Sequence, residues 1–420
     1  GVLFEQAFGA DAPTEPVHTA LFTGRWGAKT GIVAHGAHNA YLPKSAPWLP
    51  SILWEHGFET AACDNLYRLK EWFARGYDAY FNTASRTTRW IDGKDVTGPA
   101  VEWIKRRRGS APFFLFLHYW DPHTPYLPPD EYRRMFYDGD PYSERHTGME
   151  PVRAQPVYPF FYNHHYRHLG PVKDPAYISA LYDAEIRYLD DCLREFDEAL
   201  KEAGLYEDTL LVVMGDHGEC LYEHDIYWDH AGLYDAVVRV PLIMRWPGHI
   251  RAGTRVSSFV QHVDIMPTLL EAAGAKAPEG GDGQSLWPLI RGDGESAHRF
   301  IVHGECNWQA ARAIRTREWK LIQNIDPWVY RRPPLELYNL IEDPGESRNL
   351  AADEPDVADE LLFLLLREMD KRLGTRPDPI RQALSTTGIP AVARLERTLA
   401  PYGLTWADWI KNPDPGRIGL

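Results

Sequence analysis

Apolar residues recur every three or four positions between Ala176 and Ala203, at Ile178, Leu181, Tyr182, Ile186, Leu189, Leu193, Phe196 and Leu200. Gly204 follows, so the spacing predicts a long amphipathic helix with a glycine stop. Two unbroken apolar runs of strand length, Phe113–Leu117 and the Leu-Leu-Val-Val-Met stretch ending at Met214, predict strands buried on both faces. A helix is expected from Pro47 to Gly57, ahead of a Gly-Phe-Glu-Thr-Ala-Ala strand. Another is expected from Thr97 to Arg108, where Lys105-Arg106-Arg107-Arg108 suits a helix C-terminus. Helix, strand and polar loop in succession predict an α/β fold, a mostly parallel sheet flanked by helices, with its chemistry at the carboxyl ends of the strands.

Between about 128 and 175 the periodicity fails. The stretch is rich in Pro, Tyr, His and Arg, and is read as a substrate-facing lid rather than disorder because of its aromatics. After Gly292, short strand-like runs begin at Arg299, Ala310, Trp319 and Leu335, which predicts a small antiparallel sheet. A helix from Val357 to Leu373 follows, and one more near Ala391–Leu399. The expected division is a catalytic domain over 1–298, an antiparallel-sheet subdomain with its helix over 299–375, and a tail over 376–420.

Composition narrows the function. With 420 residues, 44% of them hydrophobic, the chain can bury a sizeable core. Its formal charge of −14 argues against nucleic acid as a partner. The longest apolar runs, Phe113–Leu117 and Leu361–Leu366, are too short to span a bilayer, so no membrane partner is expected. Four scattered cysteines fit neither a disulfide framework nor a zinc ribbon and lean towards a reducing, cytoplasmic compartment. The sequence does not bear on oligomeric state.

The 17 histidines are clustered, with three between 18 and 38 and others beside carboxylates, which raises metal and acid–base chemistry. Val212-Val-Met-Gly-Asp216-His217-Gly218-Glu219 sets a carboxylate and an imidazole at a strand's carboxyl end. Trp228-Asp229-His230 offers another imidazole thirteen residues on. Leu117-His118-Tyr-Trp-Asp121-Pro-His123 follows a buried strand, and can coordinate a metal or protonate a leaving group. Pro-flanked Thr14 leads into a short helical pattern, either as an N-cap or as a hydroxyl placed at a helix N-terminus.

In this order the motifs resemble the sulfatase family of the alkaline phosphatase superfamily over nearly the whole chain. Thr14–Arg25 is similar to the Cys/Ser-x-Pro-x-Arg…Thr-Gly-Arg signature, His123 falls in the Pro-His-x-Pro-Tyr segment, and Asp216-His217-Gly218-Glu219 matches the metal loop. Val263-Asp264-Ile-Met-Pro-Thr, Gly283-Gln-Ser-Leu-Trp and Glu336-Leu-Tyr-Asn-Leu continue the match. The resemblance implies a metal-dependent hydrolase of sulfate esters or related anionic esters, on a small-molecule or glycan substrate.

The departures alter the expected chemistry. Family members oxidise the signature Cys or Ser to formylglycine; Thr14 cannot yield that aldehyde, so no formylglycine is expected, and direct attack by its hydroxyl is. His18 stands at the signature Arg, and Asn65 within Cys63-Asp64-Asn65-Leu66 replaces a cationic sulfate-binding segment. His230 stands at the later active-site Lys and matches a metal-binding His of the superfamily's phosphatases. These exchanges favour two divalent ions (Ca, Zn or Mn), with Asp216 and His217 on one and His230 with Asp121 or His123 on the other. The alternative is then a phosphomonoester or phosphodiester hydrolase. His123 assists the leaving group, and His18, Asn65 and Arg167 contact substrate. The family's strand-end Asp pair has no counterpart before Thr14, so a first βα unit is expected to be missing. An alternative of another class is a non-catalytic, sulfatase-like binding protein.

Overall fold

In a computed structural model the described residues are 1–36, 40–83, 91–107, 111–296 and 298–419; His38 and Arg108 lie outside them. The strands among them are, in chain order, β1 (Val2–Phe8), β2 (Glu59–Asp64), β3 (Ala79–Asn82), β4 (Phe113–Leu117), β5 (Leu211–Met214), β6 (Leu242–Arg245), β7 (Thr254–Gln261), β8 (Ile301–Cys306), β9 (Ala310–Arg315), β10 (Trp319–Asp326) and β11 (Leu335–Asn339). The chain forms two units. The first comprises Gly1–Phe58, Glu207–Ile226 and His230–Pro390, and the second Glu59–Tyr206, Tyr227–Asp229 and Ala391–Leu420.

The first unit holds a four-stranded sheet in the order β5-β6-β1-β7. Directions are mixed: β1 runs parallel to β7, while β6 is antiparallel to both β5 and β1. Alternation in β1 sends Phe4 and Phe8 into the core, at 2% and 0% exposure. A strand thus precedes Thr14, but the connection after it carries one acid, Asp11, rather than a pair. That carboxylate accepts from the Gly27 N–H at 2.9 Å. Burial pushes its pKa up to about 7. The next element is the helix Thr14–Thr23, every residue of which is buried, stopped by Gly24 in the left-handed region (φ 61°).

The second sheet of this unit is the expected small antiparallel one, ordered β11-β10-β9-β8. The helix Pro355–Leu373 covers it, packing Ala358, Leu361, Leu365 and Met369 on Val302, Ile314, Leu321 and Leu337. Fully burying each such aliphatic side chain contributes roughly 1.5–3 kcal/mol.

The second unit carries the parallel sheet β3-β2-β4. Its helix Gly93–Arg106 starts four residues before the expected position because Asp92 and Asp95 form a capping box there. The predicted long helix spans Pro175–Glu202, with Asp174 accepting from the Ala176 N–H. Its buried face is rotated from the apolar stripe: Ile186 is 44% exposed and Glu185 only 3%. The segment 128–175 is built of turns with short helices at Glu150–Arg153 and Tyr158–His164. Tyr132 and Tyr137 hydrogen-bond Asp191 and Asp174, tying it to the long helix and its cap. Among the described residues, 376–419 hold three α-helices, Pro379–Thr386, Pro390–Leu399 and Trp406–Trp409, rather than the one expected. The fully buried Trp409 donates to Pro156 O at 2.8 Å. Among the described residues all four cysteines are buried and none is in a disulfide. Among the described residues no helix is long and apolar enough to cross a membrane.

Candidate active site

Thr14 is the first residue of its helix, and no side chain caps that end. The hydroxyl is therefore not spent as an N-cap; Oγ1 lies 3.3 Å from His217 Nε2. One turn on, helical spacing brings His18 to the same face. Its Nδ1 is 2.9 Å from Thr14 O and 3.8 Å from Asp216 Oδ2. The first-turn N–H groups and the helix dipole favour an anion beside Thr14.

Asp216 and His217 leave the carboxyl end of β5 in a tight loop. Gly218 is required for its path, since a Cβ there would lie 2.1 Å from Ala236 O. The His217 Nδ1–H donates to Gly218 O at 2.9 Å, which leaves the Nε2 lone pair facing Thr14 and Asp216. Burial pushes the His217 pKa down to about 4, so the ring is neutral near pH 7. His230 stacks on His217 with centroids 4.3 Å apart, and its Nδ1 is 3.8 Å from Glu219 Oε1. Glu219 closes the Asp-His-Gly-Glu motif, whose residue types alone do not assign it this contact with His230.

These donors fit a divalent cation. His217 and His230 offer ring nitrogens within 4.8 Å of each other. Asp216 sets a carboxylate oxygen 3.5 Å from His217 Nε2, and Thr14 a hydroxyl 3.3 Å from the same nitrogen. Nitrogen and oxygen donors, with the other His217 nitrogen held by a carbonyl, suit a divalent cation.

In the second unit, the His123 Nδ1–H donates to Thr124 O at 2.7 Å, and its ring stands edge-on to Trp120. Trp120 Nε1 donates to Asn65 Oδ1 at 2.9 Å, so Asn65 and His123 share one indole. Asp121 is hydrogen-bonded to Glu185, and burial raises both carboxyls, Glu185 to about 11. Arg167 is exposed on the short helix Tyr166–Leu169, with Nε 3.5 Å from His168 Nε2. In the 128–175 segment, Arg133 and Arg134 donate to Pro128 O and Gly139 O.

A family profile described as Sulfatase matches residues 1–275, and one described as N-sulphoglucosamine sulphohydrolase, C-terminal, matches 222–372. The chain belongs to the sulfatase family, ester hydrolases of the alkaline phosphatase superfamily. It is 23% identical to an N-acetylglucosamine-6-O-sulfatase of Bacteroides thetaiotaomicron, over 90% of this chain and 81% of that protein. It is 28% identical to an arylsulfatase of Clostridium perfringens over 66% of this chain, and spans 57% of that relative's length. The solved phosphonate monoester hydrolase of Agrobacterium radiobacter shares the fold, with a TM-score of 0.70 at 21% identity and 89% of each chain covered.

Proposed function

We propose that the chain hydrolyses sulfate esters or related anionic esters in a metal-dependent reaction, with Thr14 as the attacking hydroxyl. The observation that carries this reading is the 3.3 Å approach of Thr14 Oγ1 to His217 Nε2 at the amino end of a buried helix. A divalent cation held by Asp216, His217 and His230 would neutralise anionic ester oxygens and favour an ionised hydroxyl. Thr14 Oγ1 attacks sulfur or phosphorus as the bond to the leaving oxygen breaks. Water then releases sulfate or phosphate from the Thr14 ester in a second displacement. The helix amides stabilise charge on the non-bridging oxygens, and His18, on the same face as Thr14, orients them. The proton for the leaving oxygen is the part the sequence motif assigns to His123. The names of the matched relatives support a glycan sulfate as substrate.

A second reading, phosphate or phosphonate esters, is favoured by Thr14 itself: its Cβ methyl bars conversion to formylglycine, and the fold is shared with a phosphonate monoester hydrolase. Turnover of paired aryl sulfate, phosphate and phosphonate esters by the wild type and Thr14→Ala decides between them. The wild type is expected to turn over at least one, and Thr14→Ala to lose at least about a thousandfold in kcat. Wild-type rates in Thr14→Ala would refute the nucleophile. No turnover together with no bound metal by elemental analysis would mark a binding protein.

A further inference from the structure

Glu305, near the end of β8, is 1% exposed and touches two chain segments that matter to the site. Through the backbone, Ala12 bridges Glu305 in parallel and its N–H donates to Gly304 O at 2.9 Å; Ala12 lies two residues before Thr14. Through the side chain, Glu305 Oε2 accepts from the Gly232 N–H at 3.0 Å, two residues after His230. Gln309 Nε2, from the approach to β9, donates to the same oxygen at 3.1 Å. Gly232 has φ +89°, and a Cβ there would meet the Tyr234 ring at 2.8 Å, so its N–H is presented by a backbone that only glycine adopts without strain.

We infer that Glu305 is a positioning residue that sets the separation between the Thr14 hydroxyl and the His230 ring. This rests on the reading of Thr14 and His230 given above. A buried carboxylate is costly unless its oxygens are satisfied. Here it accepts from one N–H of the His230 segment and one side-chain N–H of its own hairpin, while its backbone is zipped to the Thr14 segment. The small C-terminal sheet thereby becomes part of the active-site scaffold. At 1% exposure the carboxylate offers no surface to substrate, so its effect falls on the alignment of reacting groups rather than on substrate affinity. Misplacements of about 1 Å in such alignments cost up to roughly a hundredfold in rate.

The test uses Glu305→Ala, Glu305→Gln and Gln309→Ala in the full chain, with kcat and KM on the aryl esters and amide hydrogen exchange at Gly232. Glu305→Ala is expected to lower kcat by roughly ten- to a hundredfold, with KM changed by less than about threefold, and to speed exchange at Gly232. Glu305→Gln keeps an acceptor oxygen and should recover most of both. Gln309→Ala removes one donor and should give a smaller change in the same direction, which keeps the test decisive where Glu305→Ala does not fold. Wild-type kcat and wild-type Gly232 exchange in Glu305→Ala would overturn the inference, as would Glu305→Gln being as slow as the alanine variant. Where even the wild type turns over none of the three esters, the functional reading fails. The order of Gly232 exchange rates then supports or overturns the tie by itself.

Discussion

The His262 Nε2–H donates to Gly215 O at 3.0 Å, one residue ahead of Asp216. His262 is 3% exposed, and burial pushes its pKa down to about 4, so it reaches the carbonyl as a neutral ring. It sits beside Gln261, whose amide donates to Gly9 O at 3.0 Å in the connection from β1 to Thr14. Adjacent side chains thus brace the two loops that meet in the Thr14–His217 contact.

Removing that brace should weaken metal binding without touching a ligand. His262→Ala is expected to lower affinity for Zn or Mn by roughly ten- to a hundredfold, the usual loss when an outer partner of a metal site goes. His262→Gln, which retains an N–H donor of similar reach, should recover part of it. Isothermal titration of the metal-stripped protein measures both, and an unchanged affinity in the alanine variant would show that the loop holds itself.

A stability prediction concerns Lys320, a lysine with 0% exposure lying 2.8 Å from both Asp235 and Glu346. Arg315 also reaches Asp235, at 3.1 Å. Although burial opposes its charge, the Lys320 and Arg315 cations hold the Asp235 carboxyl far below the usual range. Lys320→Met leaves Glu346 and Asp235 buried with one cation fewer, and should destabilise the first unit by about 3–5 kcal/mol. Urea unfolding followed by tryptophan fluorescence checks this; a loss under 1 kcal/mol would contradict it.

The pH dependence follows from His303. Its Nδ1–H donates to Gly9 O at 2.9 Å. Burial, with the nearby Lys320 charge, pushes its pKa down to about 3. The neutral form is favoured in the folded chain, so the contribution is fully present above the unfolded pKa of about 6.5 and is lost as pH falls from there towards 3. Roughly 2–3 kcal/mol of it is gone at pH 4.5. His303→Gln should flatten the fall of Tm between pH 6.5 and 4.5, and an unchanged slope would remove His303 as a cause.

The local elements were legible because their signals are local. The long helix lies within one residue of its predicted bounds, and β4 coincides with its apolar run. Thr14, Asp216, His217 and His230 could be chosen because each sits in a motif whose residue types carry the chemistry. Apolar spacing misplaced one side chain of the long helix: Ile186 faces out and Glu185 faces in, because Glu185 pairs with Asp121 from a distant segment.

Sequence by itself determined which residue types stand at strand ends and helix starts, and with them the family and the hydroxyl in place of the formylglycine precursor. Tertiary structure alone decided which groups steady them. His262 lies 47 positions from Gly215, Glu305 lies 73 from Gly232, and Gln261 lies 252 from Gly9. Periodicity reports the face a residue presents within its own element. It carries no information on which remote carbonyl or amide that face meets, because that depends on the path of the whole chain and on the need of every buried polar group for a partner.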